Sequence, residues 1–252
     1  MTMRIRLVIP SYNEEKRFPA AAFAAALAEL PDLSLLFVDD GSRDGTAKML
    51  QGFCAEHAGR TEVLLLERNG GKAEAVRQGM LHAVRQNGVF DYYGYFDADL
   101  AIPLNEAFLF FAFLQERRPV YILSGRVKLL GTTRIDRYLY RHLLGRIFAT
   151  FVSWTIDLAV YDTQCGAKLV RADMADTLFQ RPFRSRWLFD IELLYRCIAI
   201  FGRAHVEEHV AEVPLRRLHD PGGSSVSLLH ALRMPFELWR IRRAYSRPAK
   251  DT

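Results

Sequence analysis

Four apolar runs, RIRLVIP (4–10), LSLLFVDD (33–40), TEVLLLER (61–68) and DYYGYFDAD (91–99), alternate with three segments of helical composition. The segments are AAAFAAALAEL (20–30), DGTAKMLQGFCAEH (44–57) and KAEAVRQGMLHAVRQ (72–86). Strands this continuously apolar predict a parallel sheet with helices on both faces. The first hundred residues therefore read as a doubly wound α/β unit, whose ligands bind beyond the carboxyl ends of the strands. Each of those ends carries polar residues: PSYNEE, DDGSRDGT, RNGGK and DADLAIP. One polar strand end is ordinary, but acidic and basic groups at all four converge on one rim and predict a site.

The second half is less regular. It reads as a strand YILSGRV (121–127), a helix over 135–157, and a turn, strand and helix over 162–179. A helix over 186–202, a strand over 205–215, the loop RRLHDPGGSSVS and a terminal helix follow. With no internal repeat or low-complexity linker, we expect one domain over 1–226 with a mostly parallel central sheet, then a basic amphipathic helix and tail over 227–252.

At 252 residues, half of them hydrophobic and a quarter charged, the chain can bury a full core. Cys54, Cys165 and Cys197 lack metal-ligand spacing, so free thiols in a reducing compartment are expected, with a disulfide as the alternative. The N-terminal residues do not read as a signal peptide. No run approaches the roughly 18–20 apolar residues of a membrane span. IFATFVSWTI (147–156), uncharged between Arg146 and Asp157, is too short to cross a bilayer but long enough to dip into one. From Arg216 onward eight Lys/Arg face three Asp/Glu, a surplus equal to the +5 of the whole chain. The body is near neutral, and the tail is directed at an anionic surface.

Asp97 and Asp99, two apart at a strand end, share a face and repel each other. They are either a solvated pair or the seat of a cation. Mg²⁺ or Mn²⁺ suits the oxygen donors and would neutralise a departing diphosphate as a Lewis acid. Lys72 opens a helix after Gly70 and Gly71, whose free N–H groups are expected to hold phosphate. This is not a Walker A loop, because Leu66 stands at its first glycine position and Ala73 follows the lysine; G-x-G-x-x-G is also absent.

VIPSYNEE, VDDGSRDGT, NGGKAEAVRQG and FDADL, in this order and spacing, resemble the family 2 glycosyltransferases of the GT-A fold. LSGRV, YDTQCGAKLV and RWLFDIELLYR resemble the branch that glycosylates dolichyl and other polyprenyl phosphates. The likeness runs from about residue 5 to 226. It implies a donor-binding half over 1–100 and an acceptor-binding half over 101–226. Pro10, Tyr12, Glu14, Val38 and Asp40 would hold the base and ribose of a nucleotide sugar, with Lys72 and Ala98 lining the same pocket. Asp97 would meet ribose or metal, and Asp99 would be the principal metal ligand. Arg126 would reach the sugar phosphate or the acceptor phosphate, and Arg134 and Arg137 the acceptor phosphate; singly, either arginine also fits a solvated helix face. The resemblance favours UDP-glucose over a GDP-mannose type of donor, while the rim suits either.

A hydroxyl acceptor needs a carboxylate to take its proton. A polyprenyl phosphate is already an oxyanion and attacks the anomeric carbon directly, with inversion, once the charges are positioned. Asp190 stands near where hydroxyl-directed relatives keep their base, and equally fits a polar core anchor. Three positions depart from the family pattern: Ala101 replaces a Gln that helps bind metal, Ser225 stands for a Lys, and His219 lies near an expected Arg.

In the terminal helix, Leu228, Leu229, Leu232, Phe236 and Trp239 make one stripe, and Arg233, Glu237 and Arg240 another, with Pro235 as a kink. Such a helix either lies at an anionic membrane surface or packs on the body. We therefore expect a peripheral enzyme on the cytoplasmic face of a membrane. A hydroxyl acceptor with Asp190 as base and a non-catalytic nucleotide-sugar sensor are the alternatives. Basic charge confined to the tail argues against nucleic acid. The oligomeric state is left open.

Overall fold

The apolar runs of the first half form β1 (Ile5–Ser11), β2 (Leu33–Asp39), β3 (Thr61–Leu65) and β4 (Tyr92–Phe96). Between them lie α1 (Ala20–Glu29), α2 (Thr46–Glu56) and α3 (Lys72–Arg85), as the sequence predicts. The structure is a computed structural model and describes residues 3–86, 88–114, 117–127, 134–136, 139–219 and 228–245. The second half contributes α4 (Glu106–Leu114), β5 (Tyr121–Gly125), β6 (Arg134–Asp136), α5 (Leu139–Ile156), β7 (Ala167–Arg171) and α6 (Ala172–Phe179). It continues with α7 (Phe189–Phe201), α8 (Val206–His209), β8 (Val210–Pro214), β9 (Arg217–His219) and α9 (Leu228–Tyr245).

Seven strands form one sheet in the order β3-β2-β1-β4-β7-β5-β8, and β6 and β9 pair separately. β1 to β4 are mutually parallel, β7 is antiparallel to both its neighbours, and β8 is parallel to β5. Phe96 lies opposite Ala167, and Leu123 opposite Lys168. The reversed β7 therefore begins at the edge where β4 and β5 end. From β1 the sheet continues to β2 on one side and β4 on the other, which opens a crevice at their carboxyl ends.

The core lies in two layers. On one face Phe18, Phe23, Phe37 and Phe53 meet at centroid separations of 5.0–6.3 Å and tie α1 and α2 to β2. Aromatic pairs of this kind add about 0.5–1.5 kcal/mol each beyond their burial. On the other face Tyr95, Phe179, Phe189 and Leu194 pack with α3, α6 and α7. The cysteines are free thiols, as expected.

Three elements differ from the sequence reading. The helix expected over 135–157 begins only at Leu139, because Arg134–Asp136 pairs with Arg217–His219 as a strand. The strand expected over 205–215 is confined to Val210–Pro214. Gly202, at φ 78°, ends α7, and Val206 N–H bonds its carbonyl to start a helical turn. α4, EAFLFFAFL, is apolar at eight of nine positions and so shows no helical period to read.

α9 packs on the body through buried Leu238 and Ile241 and leaves Phe236 and Trp239 exposed. Among the described residues no helix is long and apolar enough to cross a membrane.

Candidate active site

The rim gathers the strand ends as the sheet register requires. Asp39 and Asp40 close β2, and both are buried. Asp40 accepts hydrogen bonds from the N–H groups of Gly70 (2.7 Å) and Gly71 (2.8 Å). The expectation that these two groups hold phosphate is thereby overturned, since a buried carboxylate occupies them. Burial pushes the Asp40 carboxyl up, against the two N–H donors and the charge of Arg186. Asp39 Oδ1 is buried and, among the described residues, without a hydrogen-bond partner. It is thus an acceptor at the rim awaiting a donor.

Lys72 opens α3 and pairs with Asp97 at the end of β4. Burial works against its charge, but Asp97, Asp190 and Asp99 together raise its pKa. Asp97 also donates its N–H to the Gly166 carbonyl (3.2 Å). A Cβ on Gly166 would stand 2.1 Å from Asp97 Oδ2, so the carboxylate fills the space a side chain would take. Asp99 is exposed, and its Oδ1 accepts the Ala101 N–H at 3.0 Å. The turn depends on Leu100 at φ 50°, a left-handed conformation uncommon for a bulky residue and of a kind that clusters at functional sites.

The donor set fits a magnesium- or manganese-sized cation. Asp99 offers an outward carboxylate, Asp97 lies two residues away, and such ions complete their shell with water and phosphate oxygens. Asp97 is already engaged by Lys72, so Asp99 is the freer carboxylate.

Arg126, just past β5, is held by Asp162 through two bonds, Nε to Oδ2 at 2.5 Å and Nη2 to Oδ1 at 2.9 Å. Asp162 is fixed in turn: its N–H and that of Tyr161 both donate to Glu212, each at 2.6 Å. Burial opposes both charges, yet the pair holds Arg126 above and Asp162 below its usual range. The arginine expected to reach a phosphate is thus oriented by a carboxylate that the sequence reading did not single out.

Asp190, in the first turn of α7, is 5% exposed. Its Oδ1 accepts the Tyr95 hydroxyl at 2.5 Å and lies 3.1 Å from Lys168 Nζ. Lys168 is fully buried on β7. The Tyr121 hydroxyl lies 3.2 Å from that of Tyr95 and extends the network. This carboxylate is committed to a buried cation and a phenol, the arrangement of an anchor.

The other expected residues divide. Pro10 is half-buried and Tyr12 exposed at the end of β1, both open to a ligand. Glu14 is clamped by Arg17 at 2.5 and 2.8 Å. The side chains of Val38 and Ala98 are buried in the core beside these strand ends. Arg134 sits in β6, while its side chain and all of Arg137, like Ser225, lie outside the described residues.

Sequence reasoning missed Arg186. Its stem lies 3.5 Å from where a Cβ on Gly71 would stand, and φ 86° at Gly71 also favours glycine. The turn that carries it is pinned, because Ser185 Oγ accepts the N–H groups of Trp187 and Leu188 and donates to Glu237 of α9. Among the described residues no hydrogen bond or ion pair engages the Arg186 guanidinium.

A mixed sheet with its crevice at β1 and β4, acidic strand ends and an arginine received from the second half are the arrangement that the resemblance to the GT-A fold implies. Residues 7–179 match the family model of glycosyl transferase family 2, and the chain belongs to that family. It is 32% identical over 209 residues to a dolichyl-phosphate beta-glucosyltransferase of Drosophila melanogaster, covering 77% of this chain and 62% of the relative. The human enzyme of that name is 29% identical over 259 residues, covering 97% of this chain and 76% of the relative. The fold matches the crystal structure of glucosyl-3-phosphoglycerate synthase from Mycobacterium tuberculosis with Mn²⁺, UDP and phosphoglyceric acid. That match has a TM-score of 0.66 at 17% identity and covers 96% of this chain and 78% of the other.

Proposed function

We propose that this protein transfers glucose from UDP-glucose to a polyprenyl phosphate of the dolichyl type, with inversion, at the cytoplasmic face of a membrane. The observation that carries this reading is the state of Asp190. It is the carboxylate positioned to serve as a base, yet Lys168 and Tyr95 hold it in the core. An acceptor that arrives as an oxyanion needs no base. The relatives named dolichyl-phosphate beta-glucosyltransferase supply the donor sugar and the lipid class.

In this mechanism the first hundred residues bind the donor and the remainder receives the acceptor. Tyr12, Pro10 and the Asp39–Asp40 pair take the nucleoside. Asp99, with Asp97 beside it, holds Mg²⁺ or Mn²⁺, which when bound supplies Lewis-acid neutralisation of the diphosphate. Lys72 adds a second positive charge next to Asp97. Arg126, aimed by Asp162, offsets repulsion between the incoming phosphate and the diphosphate, with Arg134 and Arg137 assisting. Positioning and charge compensation thus perform the catalysis.

The test is incubation with a panel of nucleotide sugars, polyprenyl phosphate and Mg²⁺ or Mn²⁺, followed by detection of a glycolipid. We expect glucosyl lipid from UDP-glucose and at least a hundredfold loss in Asp99→Ala. A rate unchanged by that substitution, or product formed without divalent cation, refutes the mechanism.

A further inference from the structure

We propose that the outer face of α5 seats in the interfacial layer of an anionic lipid bilayer, placing the Arg126–Asp162 pair at headgroup level. On this helix Ile147 (68%), Phe151 (38%) and Trp154 (75%) are exposed at spacings of four and three, and so lie on one stripe. Its opposite side is used already, with Ala149, Val152 and Ile156 buried in the core. Scattered apolar side chains are normal on a surface, but a stripe of Ile, Phe and Trp opposite a buried face calls for a partner. Half of the ten exposed large hydrophobic residues described lie on α5 or α9, two helices in contact. On α9, Phe236 and Trp239 stack at 6.0 Å, and Arg243 lies 5.3 Å over the Trp239 ring.

Two features select a bilayer as the occupant. First, residues 147–156 carry no charge, while Arg240 and Arg243 are exposed on the neighbouring helix, giving the apolar and basic surfaces of an interfacial element. Second, the stripe starts at the site. Arg146, one residue before Ile147, donates to the Tyr161 carbonyl at 3.3 Å and lies 3.8 Å over its ring. Tyr161 precedes Asp162, which grips Arg126. Vesicle binding tests this surface by itself; its role in catalysis rests on the polyprenyl-phosphate reading above.

The experiment compares the full chain with I147E/W154E, checking that thermal unfolding and UDP binding match the parent. In sedimentation with vesicles of phosphatidylcholine and 30% phosphatidylglycerol, we expect the parent to partition at least tenfold more strongly than the variant and to weaken with salt. Transfer to a long polyprenyl phosphate in those vesicles should fall at least tenfold, while transfer to a short, water-soluble prenyl phosphate stays within twofold. Equal vesicle binding by the two proteins overturns the proposal. So does a parent dimer that the variant abolishes with vesicle binding unaltered, because the face would then be a self-contact. Loss of vesicle binding with no transfer by either protein to either acceptor upholds the surface and refutes the assigned reaction.

Discussion

Asp190 is where two chemistries separate. A catalytic base, once removed, typically costs 10²–10⁴ in rate. Held by Lys168 and Tyr95, Asp190 has no such proton to take, so we expect Asp190→Asn to lower kcat less than tenfold and leave the pH–rate profile unchanged. Steady-state kinetics across pH 6–9 decide it, and a collapse of kcat would install Asp190 as a base for a hydroxyl acceptor. Arg186 makes the opposite case, an exposed cation on a pinned turn that acts on Asp40 through its charge but is held by no hydrogen bond or ion pair among the described residues. If it meets the donor diphosphate, Arg186→Met should weaken UDP binding about tenfold in calorimetry and leave uridine binding unchanged. Equal loss for both ligands would place its contact on the nucleoside. Neither Lys168 nor Arg186 was legible in the sequence. A lysine in AKLV has the place of a solvent-facing strand residue, and the acid that buries it comes 22 positions later.

Among the elements, the first four strands were legible because each is a short apolar run ending in polar residues; β1, β2 and β4 are buried on both faces, while the edge strand β3 is only half-buried. α4 was not, since a uniformly apolar segment carries no period. The start of β7 shows what strand reversal does for the site. Its register brings Gly166 to the end of β4, against Asp97, a juxtaposition that no local pattern in DTQCGAK announces. We expect Gly166→Ala to displace the Asp97 carboxylate, because a methyl there would stand 2.1 Å from Oδ2. Transfer should fall at least tenfold while circular dichroism and Tm change little. Full activity would show that Asp97 has room to move.

For the molecule as a whole, the half-buried pair Arg126–Asp162 weakens the fold in acid. The folded pKa of Asp162 lies below its ordinary value, so its stabilisation is complete above about pH 4 and fades as pH falls through the lower folded value. Leaving Arg126 unpaired costs at most the ~3–5 kcal/mol of a fully buried pair, which for a chain of this size lowers Tm by up to roughly 10 °C. Thermal melts of Asp162→Asn and the parent should therefore differ by a constant amount from pH 8 to pH 5 and draw together as pH falls below about 4. A gap that does not narrow at all below about pH 4 would assign the cost to packing.

The segment Asp162–Gly166 grips Arg126 at one end and bonds Asp97 at the other. In the proposed reaction, these five consecutive residues act as a ruler between the place where a leaving group departs and the place where a nucleophile enters. Such a gauge is set once, at folding, and stays the same however long the hydrocarbon tail behind the nucleophile.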